Sequence, residues 1–267
     1  MLNSVDYHII DKCNLNCASC NHFSSLVPED SKGKSIEQIT ADFSLLSKIK
    51  DEFYALNLLG GEPTLHPQLS KILRIAREMF PNNTINLTTN GTRYNMFELW
   101  KDAIIENNIC LYITVYPYCD NYKDRLETIA KTLKPYDNIV YIDFPIDSGF
   151  NYGFLSNKIV CSESEYKNCE KPYWCSQLKN GKLYKCYYAA QFDVLKNYFG
   201  DEITFDLDGK EYLDLNGDIT FNDLNKFIYS PQPEICKHCL EVCNAEKGGL
   251  KHPWSKTCKD INEWIVE

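Results

Sequence analysis

"DYHIIDKCNLNCASCNHF", residues 6–23, sets an apolar run directly before three cysteines held within eight positions. The run reads as a buried strand, and Cys13, Cys17 and Cys20 fall on the loop that leaves it. Their spacing is C-x3-C-x2-C. A structural zinc site asks for four ligands, usually in paired C-x2-C units. A [4Fe-4S] cube needs one thiolate per iron, so three cysteines leave one iron open to a ligand from outside the protein.

Further along, the same arrangement repeats. The runs "FYALNLL" (53–59), "TINLTTN" (84–90), "ICLYITVY" (109–116) and "NIVYIDF" (138–144) alternate with stretches of helical period. In "SIEQITADFSLLSKIK", Ile36, Ile39, Phe43, Leu46 and Ile49 share one face, with Ser35 as N-cap and Gln38 three residues on. In "HPQLSKILRIAREMF", Leu69, Ile72, Leu73, Ile75 and Ala76 turn inward. Such alternation means an α/β fold whose parallel sheet carries functional loops at the strands' C-terminal ends. The cysteine triplet, "GGEP" (60–63), "TNG" (89–91) and "YPY" (116–118) all follow strands, so all four reach one rim.

Past residue 150 the pattern changes. "YWCSQLKNGKLYKCYY" reads as a hairpin turning at Asn180-Gly181, and "KEYLDLNGDITFND" as a second one turning at Asn216-Gly217. The second stretch also superficially resembles a calcium loop. It has Ile219 where that loop needs Gly and Asn225 where it needs an acid, so the hairpin is preferred.

The chain has 267 residues, a net charge of -9 and 13 cysteines. No cluster of Lys or Arg offers phosphate backbones a cationic patch, so neither nucleic acid nor an anionic membrane is an expected partner. No apolar run approaches about 20 residues, and no basic-then-apolar signal opens the chain, which reads as soluble and cytoplasmic. Thiols bunched in a reducing compartment favour metal or iron–sulfur ligation over disulfides.

The triplet after a first strand, joined by "LLGGEPTLHP" (58–67) at the end of the second, resembles the radical S-adenosylmethionine (SAM) superfamily. That resemblance implies a partial (β/α)6 TIM-like barrel over residues 1–150. It also implies a [4Fe-4S] cluster on Cys13, Cys17 and Cys20 whose open iron is chelated by SAM. Gly60 and Gly61 would let the backbone approach the methionine part of SAM, and Glu62 would accept from its ammonium. Ribose contacts are expected from Asn90 or Thr114. The family's aromatic residue before the third cysteine is Ser19 here, so the adenine contact passes to Phe23 or Tyr116.

"CSQLKNGKLYKC" (175–186) and "CKHC" (236–239) resemble the SPASM and shorter twitch modules that hold auxiliary clusters after such barrels. The twitch reading over residues 151–267 implies one auxiliary [4Fe-4S] cluster on Cys175, Cys186, Cys236 and Cys239. Cys169 lies where some SPASM enzymes have an upstream ligand, and Cys243 and Cys258 depart from the two-cluster spacing. Structural zinc stays open as an alternative. Cys110 reads as a small buried hydrophobe, while Cys119 and Cys161 carry no assigned role.

A barrel with a twitch module is the architecture of radical SAM alcohol dehydrogenases, and "KNYFG" and "PEICKHC" look like small radical SAM proteins of carbohydrate loci. The resemblance therefore implies an oxidoreductase. It would abstract a hydrogen atom from a small polar substrate, in oxidation or epimerisation of a sugar or aminocyclitol. The second electron would go to the auxiliary cluster, and a flavodoxin or ferredoxin would supply the first. The alternative is a maturase of ribosomal peptides; such enzymes usually carry an N-terminal leader-binding domain, for which Cys13 leaves no room. Tyr116, Tyr118, Asp143 and Trp174 sit near the expected site, and none is assigned a catalytic role.

Overall fold

The computed structural model describes residues 1–116, 122–136, 140–143, 150–151, 154–243, 251–252 and 254–266. Tyr118, Cys119 and the side chains of Asp143 and Cys243 lie outside the described residues. The first half alternates as expected: β1 (Leu2–Ile10), α1 (Ile36–Leu46), β2 (Phe53–Gly60), α2 (Leu69–Met79), β3 (Thr84–Thr89), α3 (Lys101–Glu106), β4 (Cys110–Thr114), α4 (Tyr122–Leu133) and β5 (Val140–Asp143). These five strands run parallel, in the order β1-β2-β3-β4-β5. The fold is α/β, and the open parallel sheet is of partial-barrel type.

After it come β6 (Phe150–Asn151), β7 (Leu155–Ser156), α5 (Glu163–Tyr166) and α6 (Lys171–Trp174). Then β8 (Ser176–Lys179) returns to the free edge of β1 and pairs with it in parallel, Asp6 opposite Gln177. The hairpin partner β9 (Lys182–Tyr184) and, after α7 (Tyr187–Ala190) and α8 (Phe192–Phe199), β10 (Tyr212–Asp214) extend the same sheet antiparallel. One sheet therefore runs through both sequence segments on either side of residue 150.

Local chemistry accounts for these elements. Ser35 and Gln38 cap α1 reciprocally, at 3.2 and 2.8 Å, each such cap contributing about 1 kcal/mol. Ile36, Ile39, Phe43 and Leu46 are buried against β1, whose Val5, Tyr7 and Ile9 face them. The β8–β9 turn has Asn180 and Gly181 at φ 52° and 71°, the left-handed pair a two-residue hairpin needs. Asp42 of α1 fastens that turn, accepting from the Gly181 N–H at 2.7 Å and from the Tyr7 hydroxyl at 2.8 Å.

The second expected hairpin does not form. Gly217 is not among the left-handed residues, and the Asp214 carboxylate closes the turn by accepting from the Asn216 N–H at 2.9 Å. Thr220 and Asp223 then cap α9 (Phe221–Ile228) reciprocally, so the chain leaves the sheet as a helix. α10 (Glu234–Lys237) and α11 (Leu240–Cys243) follow, and the last strand, Ile265–Val266, pairs with β7. Among the described residues no helix is long and apolar enough to cross a membrane.

The sheet's inner face is polar. Asp6 accepts from Asn57 at 2.6 Å, and Asn57 accepts from Asn86 at 2.7 Å, across three neighbouring strands. Burial pushes the Asp6 carboxyl from its ordinary 3.8 up to about 7, against the lowering pull of the Asn57 bond and the Lys171 charge. The folded form thus binds this proton more tightly than the unfolded chain. Its stabilising contribution is full below pH about 4 and is lost as pH rises through about 7. Asp6→Asn, which keeps the shape and the acceptor, is expected to flatten that loss; denaturant unfolding midpoints between pH 4 and 8 measure it.

Candidate functional site

The triplet's position follows from two glycines. At Gly60 an added Cβ would meet the Ile10 carbonyl oxygen at 1.9 Å, and at Gly61 the Lys12 carbonyl oxygen at 2.2 Å. The tail of β1 therefore lies flat on the end of β2, joined by Gly61 N–H to Ile10 O and Glu62 N–H to Lys12 O, both 2.9 Å. Glycine here serves the seating of the cysteine loop, a purpose the motif alone does not disclose.

That loop forms one wall of a cavity of about 470 Å³, which Gly60, Gly61, Asn90, Thr114 and Tyr116 complete from the other strand ends. Cys13, Cys17 and Cys20 all line it. Burial and the neighbouring sulfurs push the Cys13 and Cys17 thiols up to about 12. No cationic side chain lies on the described wall. Cys13 and Cys17, kept protonated in this way, would become thiolates only when a positively charged centre joins them, as it would at an iron–sulfur site.

Glu62 does not reach the cavity. It is fully buried, with one oxygen accepting from the Thr64 N–H (3.0 Å), the Thr64 hydroxyl (2.5 Å) and the Thr89 hydroxyl (2.6 Å). The other accepts from the Asn90 N–H at 2.8 Å. Burial still leaves its carboxyl raised. In this structure its carboxylate holds Asn90, whose amide donates to Asn14 at 3.0 Å and approaches the Cys13 sulfur at 3.7 Å. Of the two aromatic candidates, Phe23 is buried in the second apolar core, and Tyr116 stands on the cavity wall. Burial, and after it the neighbouring sulfurs of the triplet, raise the Tyr116 hydroxyl.

A second, small cavity of about 20 Å³ is walled by Cys161, Cys169, Cys186, Cys236 and Cys239, with Lys171 and Tyr188. Of the four cysteines expected to hold an auxiliary cluster, Cys186, Cys236 and Cys239 line this cavity; Cys169 lines it too, and Cys175 does not. Cys175 ends α6 just before β8, off this wall, and after burial the charge of Asp6 is the main influence raising its thiol, to about 11. Burial and the facing sulfurs hold Cys236 and Cys186 protonated in the same way. Among the described residues no three His, Cys, Asp or Glu side chains converge on a single ion; the thiols ring a space.

Several wall residues escaped the sequence reading. His22 follows the triplet, with Nδ1 2.8 Å from His8 Nε2, while His8 Nδ1 is 2.8 Å from Asp11. Burial and the charge of His8 lower the His22 imidazole to about 3, so it is neutral. Its Nε2 has no hydrogen bond among the described residues. The His22 ring lies 5.2 Å from Tyr187, next to Cys186, and Phe154 on the large cavity lies 5.4 Å from Tyr188 on the small one. The two cavities share this aromatic partition. Lys171 braces it, donating to the Tyr187 hydroxyl at 2.7 Å and to Glu241 at 3.0 Å.

A family model described as the radical SAM superfamily matches residues 7–159. GTP 3',8-cyclase of Microcystis aeruginosa is 31% identical over 100 residues, 34% of this chain and 29% of that protein. The enzyme of the same name from Chlorobaculum tepidum is 26% identical over 140 residues, 49% and 40% of the two chains. The chain therefore spans between about three tenths and two fifths of the length of these curated relatives. Among solved structures, BtrN in complex with AdoMet and 2-DOIA superposes with a TM-score of 0.56 at 13% identity, over 90% of this chain and 93% of that one. At that identity the likeness speaks for the fold alone.

The cysteine geometry is testable. Cys169→Ala is expected to cost the anaerobically reconstituted protein about half its iron, whereas Cys175→Ala is expected to keep nearly all of it. Iron and sulfide assays on both variants check this, and the reverse order would restore the hairpin pair.

Proposed function

Because the chain belongs to the radical SAM superfamily, we propose that it oxidises a small, uncharged polyol or amino alcohol, with a second iron–sulfur cluster taking up the electron that remains. The observation that carries this reading is the shared partition, which sets a ring of four to five thiols directly behind the wall of the triplet's cavity. When bound, the triplet's cluster and SAM supply a 5'-deoxyadenosyl radical able to take a hydrogen atom from carbon.

The protein's own residues have three tasks in this account. Cys13, Cys17 and Cys20 would hold the first cluster, and Cys169, Cys186, Cys236 and Cys239 the auxiliary one, in a twitch-like module over residues 151–267. Gly60, Gly61, Asn90, Thr114 and Tyr116 would seat SAM along the strand ends. His22, neutral and braced by His8 and Asp11, would accept a hydrogen bond from a substrate hydroxyl. Tyr187 and Phe154 with Tyr188 would shorten the electron's route to the second set of thiols. The described wall offers hydroxyls, amides and one imidazole, a set that suits a neutral polyol better than a nucleoside triphosphate.

The test is transfer of deuterium. Reduced protein with SAM is incubated with deuterated cyclitols, amino sugars and sugars, and in parallel with deuterated peptides and GTP. Deuterium in 5'-deoxyadenosine from a polyol supports the proposal; deuterium from a peptide or GTP alone overturns it. His22→Ala is expected to reduce turnover of that polyol about three- to tenfold, the worth of one neutral hydrogen bond. Substrate-free SAM cleavage should remain, as high-performance liquid chromatography of 5'-deoxyadenosine would report.

A further inference from the structure

The cysteine loop contains no regular element across its three thiols, and one end of it is held by a segment more than 230 residues away. Residues 254–264 cross the loop as a strap. Cys17 and Lys256 form an antiparallel bridge, with Ala18 N–H donating to Ser255 O and Thr257 N–H to Asn16 O, both at 2.9 Å. Ser19, at the unfavourable φ of 53°, donates its N–H to the buried Glu263 carboxylate at 3.2 Å. The Cys20 carbonyl accepts from the Trp264 indole at 2.9 Å. Glu263 itself is fixed from within the strap by the Thr257 hydroxyl and by the N–H and thiol of Cys258.

One contact goes to sulfur. The Trp254 indole Nε1–H donates to the Cys17 Sγ at 3.1 Å. Cys13 receives its own donor from inside the loop, the Leu15 N–H at 3.3 Å. Each iron–sulfur cluster becomes more negative on reduction, and N–H donors on its thiolates stabilise that added charge. Hydrogen bonds to the sulfurs are therefore among the levers that set a cluster's potential.

We propose that the strap is a working part of the triplet's cluster site and that Trp254 is a positioning residue that raises the cluster's reduction potential through its bond to Cys17. The inference rests on the triplet holding a cluster, as proposed above. It places the ease of the first electron transfer under the control of the C-terminal segment. The same segment enters the second apolar core through Trp264, beside Cys186 and Cys239.

The experiment is a redox titration followed by electron paramagnetic resonance on reconstituted full-length protein carrying Cys169→Ala, so that the triplet's signal is read by itself. Adding Trp254→Phe, which keeps an aromatic cover and removes the donor, is expected to move the midpoint to a more negative potential with iron retained. SAM cleavage should slow with a mild reductant and recover with a stronger one. Should the Phe variant fail to load iron, replacing Trp254 by benzothienylalanine decides the matter, because it keeps the indole's shape and loses only the N–H. An unchanged midpoint in a loaded variant overturns the inference and leaves the cluster assignment standing. If the parent protein gives no reducible signal that responds to SAM, the cluster assignment fails and takes the inference with it.

Discussion

The pairing of β1 on both its edges is the constraint on which the rest depends. A strand whose edges bond in parallel to β2 and to β8 has no freedom of register, and its end fixes where the next residues begin. The cysteine loop starts at that end. The β8–β9 hairpin that leads to Cys186 starts from the other edge, and Asp42 locks its turn to α1. Both thiol sets are therefore placed by the same strand. The distance between them is a property of the sheet, not of a linker.

That arrangement has a cost, visible in the polar residues the sheet encloses. Asp6, Asn57 and Asn86 face inward where apolar side chains would be more stable, and Gln177 opposite Asp6 has no side-chain partner among the described residues. The raised Asp6 carboxyl is the trace of that cost.

Legibility in the sequence follows the range of the interactions. The capping pair Ser35 and Gln38, the inward face of α1 and the turn at Asn180-Gly181 are local, and each was readable from a few neighbouring residues. The gathering of the triplet, Gly60, Gly61, Asn90 and Thr114 on one rim was readable because strand–helix alternation forces it. Asn216-Gly217 misled because the Asp214 carboxylate and the Thr220 cap compete with a hairpin there, and the cap starts a helix. Cys169 was harder to read, because its place beside Cys186, Cys236 and Cys239 comes from a loop with no hairpin spacing to signal it. The hold of Glu62 on Thr64, Thr89 and Asn90 was not readable, because it joins residues from separate strand ends. Trp254 gave no signal at all, since a contact across more than 230 residues leaves no periodicity or spacing to find.

We propose that one sheet carries two separate iron–sulfur sites. Mössbauer spectroscopy with iron and sulfide assays on the anaerobically reconstituted, unsubstituted chain tests it most directly. Two such sites require about eight irons and eight sulfides per chain, all in [4Fe-4S] clusters, four irons per thiol set. About four of each, with zinc in the second set or nothing there, would contradict it.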